Sequence, residues 1–75
     1  MKTNSSTSNI LIKVNGENKS IPQNISILNL LETYKLNKDR VVIELNRTIL
    51  KQSDFENTTL TESDELEIIA FVGGG

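Results

Sequence analysis

The sequence contains no cysteine and no histidine. It therefore offers no disulfide framework, no thiolate nucleophile and no metal site built from thiolate or imidazole ligands. The commonest general base near neutral pH is missing as well. The fold must be held by packing alone, and we expect neither a catalytic side chain nor a bound metal.

An excess of basic charge and long apolar runs are also lacking. The net charge is −2 at pH 7, which argues against nucleic acid as a partner. No apolar run reaches the roughly 20 residues that a membrane-spanning helix needs, so we expect no membrane partner. With 75 residues, one Tyr and two Phe, the chain can form one small domain with an aliphatic core.

The first nine residues are polar apart from Met1. Such a composition does not bury enough apolar surface to order itself. It also lacks the apolar centre of a signal peptide and the length and arginine content of a transit peptide. We predict a disordered leader over residues 1–9, a folded domain over residues 10–72 and a flexible glycine tail over residues 73–75.

A hairpin and then a helix are predicted after the leader. Residues 10–14 alternate with the period of a strand, Asn15-Gly16 suits a type I′ turn, and residues 17–21 form the returning strand. Ser26 is suited to cap a helix that should fade near Leu36. The apolar stripe of this helix has 3.6-residue spacing and comprises Ile27, Leu30, Leu31 and Tyr34.

The second half of the chain predicts strands over residues 41–45, 48–50 and 66–72, with an irregular loop between residues 51 and 64. We expect Phe55 and Leu60 to pin that loop to the core. The order of elements indicates an α+β fold of the ubiquitin-like β-grasp type, in which one helix crosses a mixed sheet of four or five strands. The last strand is predicted to lie centrally, parallel to the first.

Three glycines follow the last predicted strand. Ordering them would cost ~1–2 kcal/mol per residue, so we expect a mobile tail, thin enough to thread into another protein. The carboxylate of Gly75 becomes electrophilic only when activated, as in a mixed anhydride with AMP, and a sulfur donor would then convert it to a thiocarboxylate. A frayed terminus or a linker remnant has the same composition. The position directly after a strand favours a function.

Several segments together resemble the ThiS family of sulfur carriers in thiamine biosynthesis, over about residues 10–75. The residues that carry the resemblance are the turn Asn15-Gly16-Glu17, the segment Val41-Val42-Ile43-Glu44-Leu45-Asn46, Leu60, Asp64, Leu66-Glu67-Ile68 and the end Phe71-Val72-Gly73-Gly74-Gly75. The chain departs from the family pattern at Arg47 and Ser63, where glycine is usual, and at Lys51-Gln52, where Pro-Arg is frequent.

The resemblance implies a cycle of activation and transfer. A ThiF-type enzyme would use ATP and Mg²⁺ to adenylate Gly75, a cysteine-derived persulfide would deliver sulfur, and the thiazole synthase ThiG would take that sulfur into the thiazole ring. The chain itself would bind no cofactor. Gly75 would carry the sulfur, while Gly73 and Gly74 would form the threaded tail. We expect a monomer in the cytoplasm or the plastid stroma.

Two further surfaces are candidates for partner contacts. If Leu66, Ile68 and Ala70 face the core, strand alternation turns Ile69 and Phe71 outward, where they and Val72 would form an apolar docking patch beside the tail. An acidic cluster is predicted near the exit of the tail, where it would either steer the chain towards basic partners or form a solvated loop. It comprises Glu62, Asp64, Glu65 and Glu67.

Three other functions stay open at this level. The MoaD type of carrier has the same fold and chemistry but delivers sulfur to a pterin precursor. A ubiquitin-like modifier would be joined through Gly75 to lysines of target proteins. A plain binding module would leave the tail inert.

Overall fold

The computed structural model describes residues 8–71. In that range the chain forms a five-stranded sheet, one α-helix and two short 3₁₀ helices. In chain order these are β1 (Asn9–Val14), β2 (Glu17–Pro22), α1 (Ile27–Thr33), a 3₁₀ helix (Lys38–Arg40), β3 (Val41–Leu45), β4 (Thr48–Ile49), a second 3₁₀ helix (Gln52–Asp54) and β5 (Glu65–Ala70).

The strand order in the sheet is β2-β1-β5-β3-β4. β5 is central, parallel to β1 and antiparallel to β3, and the two hairpins β1–β2 and β3–β4 are antiparallel. This arrangement confirms the predicted β-grasp fold and the central place of the last strand. A central strand is covered on one face by the helix, which explains why Leu66 and Ile68 are buried.

Two-residue turns close both hairpins. Asn15 and Gly16 have φ of 51° and 85°, and Asn46 and Arg47 have φ of 50° and 72°. Both pairs have the positive φ values that a type I′ turn requires, and that turn matches the natural twist of a hairpin. The first turn confirms the Asn-Gly prediction. The second carries an arginine at a position that favours glycine.

The helix begins as predicted and ends earlier. Ser26 Oγ accepts a hydrogen bond from the Asn29 N–H at 3.0 Å, which confirms the cap. The helix then stops at Thr33, short of Leu36, because Lys35 adopts φ of 60°. The Lys35 N–H bonds to the Glu32 carbonyl and the Leu36 N–H to the Leu31 carbonyl, the two bonds of a Schellman motif.

The core lies between the helix and one face of the sheet and is almost entirely aliphatic. Phe55 and Leu60 are buried at 2% and 1% exposure, so both residues pin the loop as predicted. The two 3₁₀ helices were not predicted. Among residues 8–71 no helix is long and apolar enough to cross a membrane.

Strand boundaries differ from the prediction by one or two residues. β1 begins at Asn9, inside the predicted leader, because Asn9 pairs with Pro22 and its side-chain amide donates to Ser20 Oγ at 3.2 Å. β4 ends at Ile49, and β5 begins at Glu65. Residues 1–7 of the predicted leader lie outside the described residues, and so do residues 72–75.

Candidate functional site

The candidate site is the end of β5, where the chain leaves the sheet towards the glycine tail. The Phe71 N–H donates to the Arg40 carbonyl at 2.7 Å, so the pairing of β5 with the β3 side continues one residue past Ala70. This bond fixes the main chain four residues before Gly75. The predictions for Val72 and for the three glycines concern residues outside the described range and stay predictions.

Ile69 and Phe71 lie on the open face of the sheet, opposite the helix. Each side chain is 57% exposed, whereas Leu66 and Ile68 are buried. The alternation is the one that the sequence predicts. Ala70 is exposed, in contrast to the expectation that it faces the core. It lies on the helix side of the sheet, beside a groove lined by Tyr34 and Leu36, near where the helix ends.

An apolar surface extends from Ile69 across the neighbouring strands. Val42 pairs with Ile69 and Ile49 pairs with Glu44, so both apolar residues share the open face with Ile69. Ile49 is 67% exposed. Sequence reasoning placed Ile49 in a return strand but did not identify it as part of this surface. Only the register of β4 against β3 places Ile49 on this face, and the sequence alone does not give that register.

Carboxylates surround this apolar surface. A shallow depression of about 270 Å³ is lined by Val42, Glu44, Arg47, Ile49, Glu65, Glu67 and Ile69. Glu67 lies directly opposite Glu44 in the register of β3 and β5. Within residues 8–71 the only ion pair joins Lys19 and Glu17, at 3.5 Å. The two facing carboxylates therefore repel each other without a paired cation among the described residues.

The predicted acidic cluster near the tail is wrong for Glu62, Asp64 and Glu65. Glu65 begins β5 and lies six residue steps, about 20 Å, before Phe71, and Glu62 and Asp64 precede β5. The carboxylates of Glu62 and Asp64 instead hold the loop in place. Glu62 Oε1 accepts from the Leu11 N–H at 3.0 Å, and Asp64 Oδ2 accepts from the Thr61 N–H at 2.8 Å. Glu62 and Asp64 are close to the tail in sequence, but β5 runs away from them, so the tail leaves the sheet at the opposite end of the strand.

The two departures from glycine in the family pattern have a common geometry. Arg47 and Ser63 both have φ of 72°, in the left-handed region that glycine adopts most readily. Among the described residues no group of acidic side chains is arranged to hold a metal ion.

The sequence of this chain is similar to those of known proteins. The sequence matches the ThiS family over residues 10–75. It is 36% identical to the sulfur carrier protein ThiS of Bacillus subtilis over 50 residues, which cover 67% of this chain and 76% of that protein. It is 43% identical over 68 residues to the ycf40 protein of Pyropia yezoensis, covering 91% of this chain and 96% of that one.

Two further similarities concern a solved structure and a larger protein. The crystal structure of the thiamine biosynthesis protein ThiS of Geobacter metallireducens superposes with a TM-score of 0.75 at 29% identity, covering 88% of this chain and 100% of that chain. A thiazole synthase of Paramagnetospirillum magneticum is 31% identical over 62 residues, which are 83% of this chain but 19% of that protein. A segment of that synthase therefore resembles most of this chain.

Proposed function

The chain belongs to the ThiS family, the sulfur carriers of thiamine biosynthesis, and we propose that the carboxylate of Gly75 is its point of sulfur attachment. A carrier of this kind is not itself catalytic. The observation that supports Gly75 is the composition: without cysteine or histidine, the chain has no side chain that forms a persulfide or relays a proton near neutral pH.

The chemistry that fits a carboxylate proceeds in three steps. A carboxylate oxygen of Gly75 attacks the α-phosphate of ATP and pyrophosphate leaves, which gives an acyl adenylate. The terminal sulfur of a persulfide attacks the carbonyl carbon and AMP leaves, which gives an acyl disulfide. A thiol then attacks the donor's sulfur in that acyl disulfide, a new disulfide forms between the thiol and the donor, and the thiocarboxylate leaves. ATP and Mg²⁺ belong to a ThiF-type activating enzyme, and this chain binds no cofactor of its own.

The open face of the sheet fits the role of a docking surface. Ile69 and Phe71 are both 57% exposed within two residues of each other and directly before the tail, which is where an enzyme that receives the tail must make contact. Val72 continues the same segment of sequence. We propose that these three residues bind the activating enzyme while Gly73 and Gly74 enter its active site.

The receiver of the sulfur is proposed to be a thiazole synthase of the ThiG type. Support comes from the thiazole synthase of Paramagnetospirillum magneticum, in which a domain resembling this chain forms part of the same polypeptide as the synthase. Joining a carrier to its receiver raises their effective concentration, which is useful only if the two bind each other. The carrier alone is proposed to be a monomer, in the cytoplasm or, as the likeness to a red algal protein allows, in the plastid stroma.

Intact-mass spectrometry tests the attachment site. The chain is incubated with a ThiF-type enzyme, Mg²⁺-ATP, a persulfide donor and a thiol, and its mass should rise by the difference between sulfur and oxygen. Fragmentation should place that rise on Gly75, and a variant lacking Gly74 and Gly75 should show none. Transfer to a thiazole synthase separates this function from the molybdopterin type of carrier. Lysine conjugates would identify a modifier, and an unchanged mass would overturn the proposal.

A further inference from the structure

The main chain of β5 presents two different edges. Phe71 and Glu65 bond towards β3, since the Phe71 N–H donates to Arg40 and the Glu65 carbonyl accepts from Asn46. The peptide groups of Leu66 and Ile68 point towards β1. The Leu66 carbonyl accepts from the Asn15 main-chain N–H, and the Ile68 N–H and carbonyl bond to the Asn15 side-chain amide. Peptide groups alternate along a strand, so those of Ala70 point to the β1 side.

No strand formed by residues 8–71 lies beside Ala70 on that side. Pairing between β1 and β5 consists of Lys13 with Glu65 and Val14 with Leu66, after which β1 ends and the chain turns away. The side chain of Asn15 covers the next peptide groups, at Ile68. Within residues 8–71 the Ala70 N–H and carbonyl have no hydrogen-bond partner there. The central strand of the sheet thus becomes an edge strand just before the tail.

A groove accompanies this open edge on the helix side of the sheet. Ile68 and Ala70 form its floor, Tyr34 and Leu36 form one wall, and the β1–β2 hairpin forms the other, around about 390 Å³. The charged residues of the hairpin wall, Glu17 and Lys19, pair with each other at 3.5 Å and leave the groove without net charge. The groove therefore suits an uncharged, apolar side chain.

We propose that an extended segment of the activating enzyme adds a strand to β5 at Ala70. A free N–H and carbonyl on a strand edge recognise another extended main chain, and a residue paired opposite Ala70 points its side chain to the same face, into the groove. This strand holds the chain directly before the tail, and it lies next to the docking residues Ile69 and Phe71. The inference rests on the proposed activation of Gly75.

Amide hydrogen exchange measured by NMR tests the added strand. In the free protein the Ala70 amide should exchange fast and the Phe71 amide slowly, because only Phe71 donates to β3. Saturation of the intact chain with a ThiF-type enzyme should make the Ala70 amide slow and leave that of Phe71 slow. Fast exchange at Ala70 in the saturated complex would overturn the inference.

A pair of variants tests the same hydrogen bond through affinity. Proline in Ala70→Pro removes only an N–H that faces away from β3, so the fold should persist, as proline is tolerated at strand edges. Affinity for the activating enzyme should fall about tenfold, whereas Ala70→Val, which adds similar bulk and keeps the N–H, should bind more tightly than the proline variant. Equal affinities of the two variants would contradict the inference. If the wild-type chain gains sulfur while its Ala70 amide stays unprotected, the proposed function stands and the added strand does not.

Discussion

The side-chain amide of Asn15 takes the place of a strand residue beside Ile68. Its Oδ1 accepts from the Ile68 N–H at 2.7 Å and its Nδ2 donates to the Ile68 carbonyl at 3.2 Å. Asn46 makes a similar contact from the other hairpin, where its Oδ1 accepts from the Glu65 N–H at 2.9 Å. Both turns therefore do more than reverse the chain, because the first residue of each is bonded to the central strand.

Replacing Asn15 with glycine should lower stability although glycine suits the turn. Asn15→Gly keeps a residue that readily adopts positive φ but removes both side-chain bonds to Ile68, so the free energy of unfolding should fall by ~1–2 kcal/mol. Urea denaturation followed by circular dichroism measures the change.

Asn24 provides the control for Asn15. It has φ of 66°, and within the described residues its side chain makes no hydrogen bond. Asn24→Gly should leave stability unchanged or raise it slightly. Equal changes in the two variants would show that the amide bonds to Ile68 contribute nothing.

Replacing Arg47 with glycine should raise stability. At φ of 72° a residue with a Cβ is strained, and Arg47→Gly should gain ~1 kcal/mol in the free energy of unfolding. The control is Arg47→Ala, which removes the long side chain and keeps the strain. The denaturant midpoints of the two variants are compared. An equal gain in Arg47→Ala would show that the long side chain, and not backbone strain, destabilises the parent protein.

Local chemistry made part of this fold predictable. The turn at Asn15-Gly16 and the cap at Ser26 depend only on residues close by in the sequence, so both could be predicted from it. The end of the helix at Lys35 was not predicted, because lysine has no preference for positive φ. The Schellman motif there depends on Leu36 packing against the core, which the local sequence does not reveal.

The composition of the candidate site was less predictable than its position. Alternation along β5 was enough to turn Ile69 and Phe71 outward, because it needs no knowledge of other strands. Ile49 joins that surface only through the pairing of β4 with β3. Glu62 was assigned to the wrong end of β5, since proximity in sequence does not give the direction in which a strand leaves.

Removing one of the two facing carboxylates on the open face should stabilise the free protein. Glu67→Gln ends the repulsion from Glu44 directly opposite and should raise the free energy of unfolding by ~0.2–1 kcal/mol. The gain should shrink in high salt, which screens the repulsion in the parent protein. Thermal unfolding at low and high salt measures it. The exposed Glu56→Gln serves as control, and a gain that salt does not reduce would contradict this origin.

Truncating Phe71 should weaken binding to the activating enzyme without unfolding the domain. The side chain is 57% exposed, so Phe71→Ala removes little core packing, and its N–H can still bond to Arg40. An aromatic anchor at the centre of an interface typically contributes ~2 kcal/mol or more, so affinity for the ThiF-type enzyme should fall by at least about thirtyfold in a calorimetric titration. Leu11 is 47% exposed on β1, on the same face but remote from the exit of the tail, and Leu11→Ala should leave the affinity nearly unchanged. If the leucine variant lost as much affinity as the phenylalanine variant, the contact would be spread over the whole open face instead of concentrated beside the tail.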